Sequence, residues 1–371
     1  MPDPFVFLDH NATTPLRPAV IAAMVAVLGE AGNPSSVHAQ GRAARRRVET
    51  ARRQVADAIG LPAGGDVVFT SGGTEANHLA LRGVRVEGPV LVSAIEHECV
   101  RAAVPSAATI PVTADGVVDL MALERLLSKG AALVSVMAAN NETGVIQPIA
   151  EVVRLAHAAG ALVHCDAIQM VGKAPFDMAA LGVDLATVSA HKLGGPQGMA
   201  AMALAPRIAV RALTTGGGQE KGYRAGTENV AGIVGFGLAI EAAVADLATY
   251  GRLEALRDRL AAALVALDPA AVVFGADAPR VANTLSIAMP GVKAETQVMA
   301  FDLAGIGISA GSACSSGKVR VSHVLTAMGV APELAQTAVR ISLGRDTADQ
   351  EVDRMIEAWG ALRTRTARSA A

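Results

Sequence analysis

The chain has 371 residues, 51% of them hydrophobic and 18% charged, with 34 acidic against 32 basic side chains and a net charge of −2. A near-neutral balance supplies no general pull toward phosphate backbones or anionic lipid, and 3% aromatic residues leave too few rings for base-stacking platforms, so neither nucleic acid nor a membrane is expected as a partner. The length allows two domains, and its 3 cysteines, Cys99, Cys165 and Cys314, stand apart without CxxC pairing, which argues against a disulfide framework or zinc ribbon and suits a reducing cytoplasm.

The N-terminus, MPDPFVFLDHNATTP, lacks the basic region and apolar run of a secretory signal. Beyond it, Val20, Ile21, Met24, Val27 and Leu28 recur at helical spacing on one face, and Gly29 and Gly32 stop the helix. The stretch from Val37 to Ile59 reads as a helix buried through Val48, Val55 and Ile59. Its arginines (42, 45, 46, 47, 52 and 53) are either an anion or partner surface or a solvated face.

Short apolar runs then alternate with helical patterns. The predicted strands are Asp66–Thr70, Val90–Ala94, Leu133–Met137, Leu162–Cys165, Leu185–Ser189 and Met199–Leu204. Such alternation predicts an α/β architecture with a mostly parallel sheet. No apolar run reaches the roughly 18 residues of a membrane-spanning helix; the best candidate, Val230–Ile240, is Gly-rich and ends at Glu241. Past Asp246 the texture changes. Leu253, Leu256, Leu260, Leu264 and Leu267 step helically until Asp268-Pro269, and strands follow near Val272–Phe274, Asn283–Ala288 and Val339–Leu343. A final helix opens with Thr347 and Gln350 in capping-box spacing and buries Val352, Met355, Ile356 and Trp359. This predicts a smaller C-terminal α+β domain. The division is an N-terminal segment (1–15) packing on the small domain, a large domain (16–250) and the small domain (251–371).

Polar, Gly-rich clusters follow several predicted strands, where ligands bind in open α/β sheets. TSGGTEAN (70–77) lies between a strand and a helix, where Gly73 and Thr74 suit either a phosphate or a plain helix cap. HCDAIQ (164–169) puts Asp166 at a strand end, as partner of a protonated ring nitrogen or as an N-cap, with Gln169 beside it. In SAHKLGGPQG (189–198), Lys192 is either a generic loop lysine or, if partly desolvated, an imine-forming amine. Asp166 and Lys192 have one strand between them, room for a single crossover onto the same sheet edge. A phosphate site, a pyridinium partner and an imine lysine together are what pyridoxal phosphate needs.

With those motifs the chain resembles the pyridoxal-phosphate cysteine desulfurases of the NifS/IscS type, class V aminotransferases of fold type I. The likeness runs from LDHNATTP (8–15) through GNPSS, TSGGTEAN, EHECV, NNETGVIQP, HCDAIQ, SAHKLGGPQG and GGGQEKGYRAGTEN (216–229) to GSACSSG (311–317) and RISLG (340–344). It implies a large domain with a mostly parallel sheet and a smaller α+β domain carrying the cysteine loop. Lys192 would bind pyridoxal 5'-phosphate as a Schiff base, Asp166 would face the ring nitrogen and Gln169 the ring hydroxyl. Gly73, Thr74, Ser189 and His191 would hold the phosphate. Thr227 would reach the phosphate of a partner subunit, which implies a homodimer. His97 would stack on the ring and move protons, Asn141 would touch cofactor or substrate, and Arg340 would clamp the substrate carboxylate.

The resemblance further implies that Cys314, in a Gly- and Ser-rich loop, takes the sulfur of L-cysteine as a persulfide and passes it to an acceptor protein such as an iron–sulfur scaffold. A transient iron–sulfur ligand role for Cys314 is open, and no other metal site is expected. Cys99 and Cys165, beside or within apolar strands, read as inert. His78, Tyr223 and Ala225 depart from the family's common residues outside the proposed catalytic set. Selenocysteine lyase is the related alternative; a silent assembly scaffold is the non-enzymatic one, against which Lys192, Asp166, His97 and Cys314 all stand.

Overall fold

The computed structural model describes residues 5–311 and 321–370. The chain enters on a short strand, β1 (Val6–Phe7). Seven further strands build the main sheet: β2 (Asp66–Thr70), β3 (Val90–Ser93), β4 (Ala108–Ile110), β5 (Leu133–Ser135), β6 (Leu162–Asp166), β7 (Leu185–Ser189) and β8 (Ala200–Leu204). Their order is β2-β8-β7-β6-β5-β3-β4. Only β8 runs against its neighbours, while the pairs from β7 to β4 are parallel.

Helices cover both faces of this sheet, which is why β7 and β8 are buried along their whole length rather than at alternate residues. The period-2 geometry divides their side chains between two cores. Phe69, Val134, Val163, Ala186 and Ala201 face the helices Ala39–Ala58, Ile149–Ala158 and Val230–Ala245. Val68, Leu133, Leu185, Ala200 and Met202 face the other way. The glycine content of the helix Val230–Ala245 follows from packing. A Cβ on Gly237 would lie 2.8 Å from the Cα of Ala51, so only glycine lets the two helix backbones approach this closely. Among the described residues no single helix is long and apolar enough to cross a membrane.

A second core begins at Tyr250 and Leu253, just past a 62° bend between Val230–Ala245 and the helical stretch Leu247–Leu267. It is built on β9 (Val272–Val273), β10 (Thr284–Ala288), β12 (Ser309–Ala310) and β13 (Ala338–Ser342), in the antiparallel order β12-β13-β10-β9. β11 (Ile306–Gly307) pairs instead with β1, and Val6 and Leu8 thereby join the second core. Trp359 of the last helix stacks on Phe301 with centroids 6.1 Å apart.

Several local expectations are corrected. Ile21 and Leu28 do not share the buried side of the first helix, Pro18–Leu28; only Val20 and Val27 are buried, and Ile21, Val25 and Leu28 are exposed. Leu267, the last of the helically spaced leucines, is 46% exposed at its helix end while Leu253, Leu256, Leu260 and Leu264 are buried. The capping box shifts by one residue, because Glu351 accepts from the N–H of Ala348 at 2.8 Å while Thr347 accepts from Gly344. The arginine-rich helix, Ala39–Ala58, is mostly a solvated face, with Arg47 on exposed Glu30 and Arg42 on the carbonyl of Val37. Arg52 is the exception. It is buried, donates to the Glu220 carboxylate at 2.7 and 3.2 Å and to the carbonyl of Val67, and lies 5.0 Å from the Phe69 ring centroid.

Candidate active site at the carboxyl edge of the main sheet

Strands β2, β6 and β7 point the same way, so their carboxyl ends share one edge. Asp166 closes β6, in register with Thr187 of β7. Ser189 closes β7, and a single 3₁₀ turn, Ala190–Lys192, carries His191 and Lys192 past the edge. β2 runs into Gly72 and Gly73, and the chain beyond β3 reaches His97. Parallel topology brings these separate segments together.

The Nζ of Lys192 donates to the backbone carbonyls of Asn11 and Ala12, both at 2.6 Å. Burial, reinforced by the Arg340 cation and opposed by Asp9 and Asp166, lowers its pKa to about 8. The neutral, nucleophilic amine therefore becomes more abundant as pH rises toward 8, the reverse of what a carboxylate would give. Capture of pyridoxal phosphate by the cofactor-free protein is expected to quicken about tenfold per pH unit below this value and then level off. Stopped-flow absorbance checks this, and a rate independent of pH between 6 and 8 overturns it.

Asp166 is buried and accepts from Asn77 Nδ2 at 2.8 Å and from the N–H of Ile168 at 3.0 Å. Burial pushes its pKa up, while those hydrogen bonds and the nearby His97 and Lys192 pull it down. Asn77 is held in turn by Thr187 Oγ1, which donates to its Oδ1 at 2.7 Å, so its amide hydrogens face Asp166 and the sulfur of Cys99. His97 caps the helix Glu98–Ala103 by accepting from the N–H of Cys99 at 3.2 Å through Nδ1. That donor makes Nδ1 the lone-pair nitrogen, so in the neutral ring the proton sits on Nε2. Cys99 and Cys165 are free and buried, and burial pushes the Cys99 thiol up to about 11, far from a thiolate nucleophile.

Ser189 Oγ is buried with no hydrogen-bond partner among the described residues. Beside it, a Cβ on Gly73 would lie 2.6 Å from Ile168 Cδ1, the movable end of that side chain, and 3.9 Å from Ser189 Cβ. His191 donates to or accepts from Thr13 Oγ1 at 3.2 Å, and burial with Lys192 lowers its pKa to about 4, leaving a neutral ring. Thr74 is exposed on this rim, and Thr227 is exposed in the loop before Val230–Ala245. Among the described residues no hydrogen bond joins Thr227 to the Lys192 cluster.

Arg340, on β13, reaches the same space from the second sheet. It is 2% exposed, with Nη2 on Asp9 at 2.7 Å and Nη1 on the carbonyl of Asn141 at 3.1 Å. Its Nε is buried without a partner among the described residues. The next residue of that loop, Glu142, accepts from Ser322 at 2.5 Å, and burial raises its carboxyl to about 7. Gln169 donates to the carbonyl of Asn11 at 3.1 Å and accepts from the buried Lys173. Asp9, Asn11, Asn77 and Lys173 were not singled out from the sequence. The first two lie in LDHNATTP, and Lys173 stands one helical turn beyond Gln169, the signals that could have found them. Cys314 lies at 312–320, outside the described residues.

Comparison with known proteins places this geometry. The family model for class-V aminotransferases matches residues 6–355. A cysteine desulfurase of Cereibacter sphaeroides is 43% identical over 365 residues, 95% of this chain and 94% of its own. An IscS-like cysteine desulfurase of Mycobacterium tuberculosis is 40% identical, covering 98% of both. The solved NifS-like protein of Rickettsia africae superposes with a TM-score of 0.89 at 36% identity, over 96% of this chain and 99% of that one. The chain thus belongs to the class-V aminotransferases, in their NifS/IscS-type cysteine desulfurase group and with their fold type I architecture.

Proposed function

We propose that this chain converts L-cysteine to L-alanine with pyridoxal 5'-phosphate on Lys192. The sulfur is held as a persulfide on Cys314 and handed to acceptor proteins for iron–sulfur cluster assembly or related sulfur transfer. The observation that carries the reading is the placement of Lys192, an amine with a pKa near 8, on the sheet edge that also holds buried Asp166. The site fits the cofactor on independent grounds. Asp166 offers a buried carboxylate for the ring nitrogen, and Ser189 Oγ is an orphaned hydroxyl where a phosphate needs a donor. Gly73, Thr74 and the neutral His191 complete that cradle.

When bound, pyridoxal phosphate acts as the sink for the electrons of the breaking C–S bond. The protein's own groups do the rest. Lys192 would hold the cofactor through its amine and, once free with a pKa of about 8, would accept and return the substrate's proton. His97, exposed on the rim with Nδ1 held by Cys99, moves a proton at Nε2. Arg340 and Asn141 receive the substrate carboxylate, for which Arg340 Nε is already a buried unused donor. Cys314, as thiolate, attacks the substrate sulfur and keeps it. Thr227, exposed in one chain, serves the phosphate in a second copy, and the exposed Ile21, Val25 and Leu28 supply apolar surface for a homodimer. The domains divide at 250/251, with the N-terminal segment 1–15, described from residue 5 onward, joining the smaller one through Val6 and Leu8. Free, buried Cys99 and Cys165 suit the cytoplasm.

The test is incubation with L-cysteine while alanine, sulfide and the mass of the Cys314 peptide are followed. The expected result is one alanine per sulfur and a sulfur atom added to that peptide. Cys314→Ala is expected to lower alanine output by about 100-fold or more, about 2.7 kcal/mol in the barrier. Full alanine production with no sulfur on the peptide would sink the persulfide assignment.

A further inference from the structure

Lys173 is buried, 5% exposed, and the cofactor reading above assigns it no role. Its Nζ donates to Gln169 Oε1 and, at 2.6 Å, to Asn11 Oδ1. Both acceptors are neutral amide oxygens. Burial, reinforced by the Lys192 and Arg340 cations, holds its amine well below the ordinary lysine range. A buried lysine without a counter-anion is costly to keep, and the cost points to a ligand anion nearby.

The hydrogen-bond pattern shows what the lysine accomplishes. Because Lys173 occupies Oε1, the Gln169 amide can turn only one way, with Nε2 as the outward donor. That Nε2 reaches the carbonyl of Asn11 at 3.1 Å, and Lys192 Nζ reaches the same oxygen at 2.6 Å. The glutamine donor and the imine-forming amine therefore converge on one point. In pyridoxal phosphate the ring oxygen is on the carbon next to the one bearing the aldehyde. An amine that captures the aldehyde here brings that oxygen to the Gln169 side. A flipped amide would meet it oxygen to oxygen.

We infer that Lys173 is a positioning residue that locks the Gln169 amide with its donor toward the ring oxygen and sets a positive charge behind it, holding that oxygen as the anion. This rests on the cofactor assignment made above. It predicts that removing the charge lets the nearby imine keep its proton to higher pH, since a neighbouring cation disfavours protonation.

The experiment uses the full chain with pyridoxal phosphate bound. The wild type, Lys173→Met, Lys173→Gln and Lys173→Arg are titrated by absorbance for the pH at which the lysine-bound chromophore changes colour. Cofactor dissociation constants and melting temperatures of the cofactor-free proteins are measured alongside. The expected result is a midpoint raised by about one pH unit and an affinity loss of about tenfold in the Met and Gln variants. Arg is expected to restore the midpoint in part. In a Gln169→Leu background, Lys173→Met should still raise the midpoint, because the charge acts through space, but should add little to the affinity loss, because the lysine orients the donor through the amide. An unchanged midpoint in the neutral variants, or affinity losses fully additive with Gln169→Leu, overturns the inference. If Lys173→Met does not fold, the Gln variant decides by the same readouts. Failure of the wild type to form the chromophore would instead overturn the cofactor assignment.

Discussion

Lys192→Ala is expected to stop turnover, with alanine formation falling by at least about 10³-fold, about 4 kcal/mol in the barrier. Among the described residues the Lys192 amine donates only to the backbone carbonyls of Asn11 and Ala12, so truncation breaks no direct ion pair, although it withdraws a cation that acts on Asp9 and Asp166 from a distance. The fold should survive, and the loss should be chemical. Lys192→Arg is expected to fare no better, because a guanidinium stays protonated throughout the working range and cannot form the imine. Alanine release measured by mass spectrometry, with melting curves as the control, checks both variants. Alanine output within tenfold of the wild type in Lys192→Ala would refute the role.

Glu220→Ala is expected to cost about 3–5 kcal/mol of stability, read by urea unfolding, because it strands a buried guanidinium. Arg52 and Glu220 are both buried, 7% and 5% exposed. Glu220 also accepts from the N–H of Phe69 at 2.8 Å, so its loss leaves a strand donor unpaired as well. Glu220 sits at φ 46°, in the left-handed region, a conformation that the Arg52 and Phe69 contacts hold in place. The paired substitution Arg52→Leu with Glu220→Leu should recover part of the loss, since neither charge is then stranded. Equal unfolding midpoints for Glu220→Ala and wild type would show that the pair contributes nothing. The turn it anchors leads directly to Thr227.

Much of the site could be read along the chain. Asp166 and Lys192 end up on one edge because their strands were recognisable and a single crossover separates them. The strands themselves were legible because continuous burial leaves continuous apolar runs. Helix ends were less so. The capping interaction moved from Thr347 and Gln350 to Ala348 and Glu351 because several polar residues in succession can each satisfy the same N–H groups. Exposure of Ile21 was also hidden, since spacing shows which residues share a face but not what covers it.

By itself, then, the order of residues determined the α/β class, the motif family and the placement of Asp166 and Lys192 at the ends of neighbouring strands, because these depend on neighbours within a strand or turn. Only the tertiary structure decided that Asn11 receives both Lys192 and Gln169, that Lys173 locks the glutamine, that Asp9 holds Arg340, and that Arg52 is a buried partner of Glu220 rather than one more surface cation. All of those contacts except Lys173 with Gln169, four residues apart, join segments far apart in the chain. Strand order and the meeting of the two cores bring them within hydrogen-bond range, and no local periodicity carries that information.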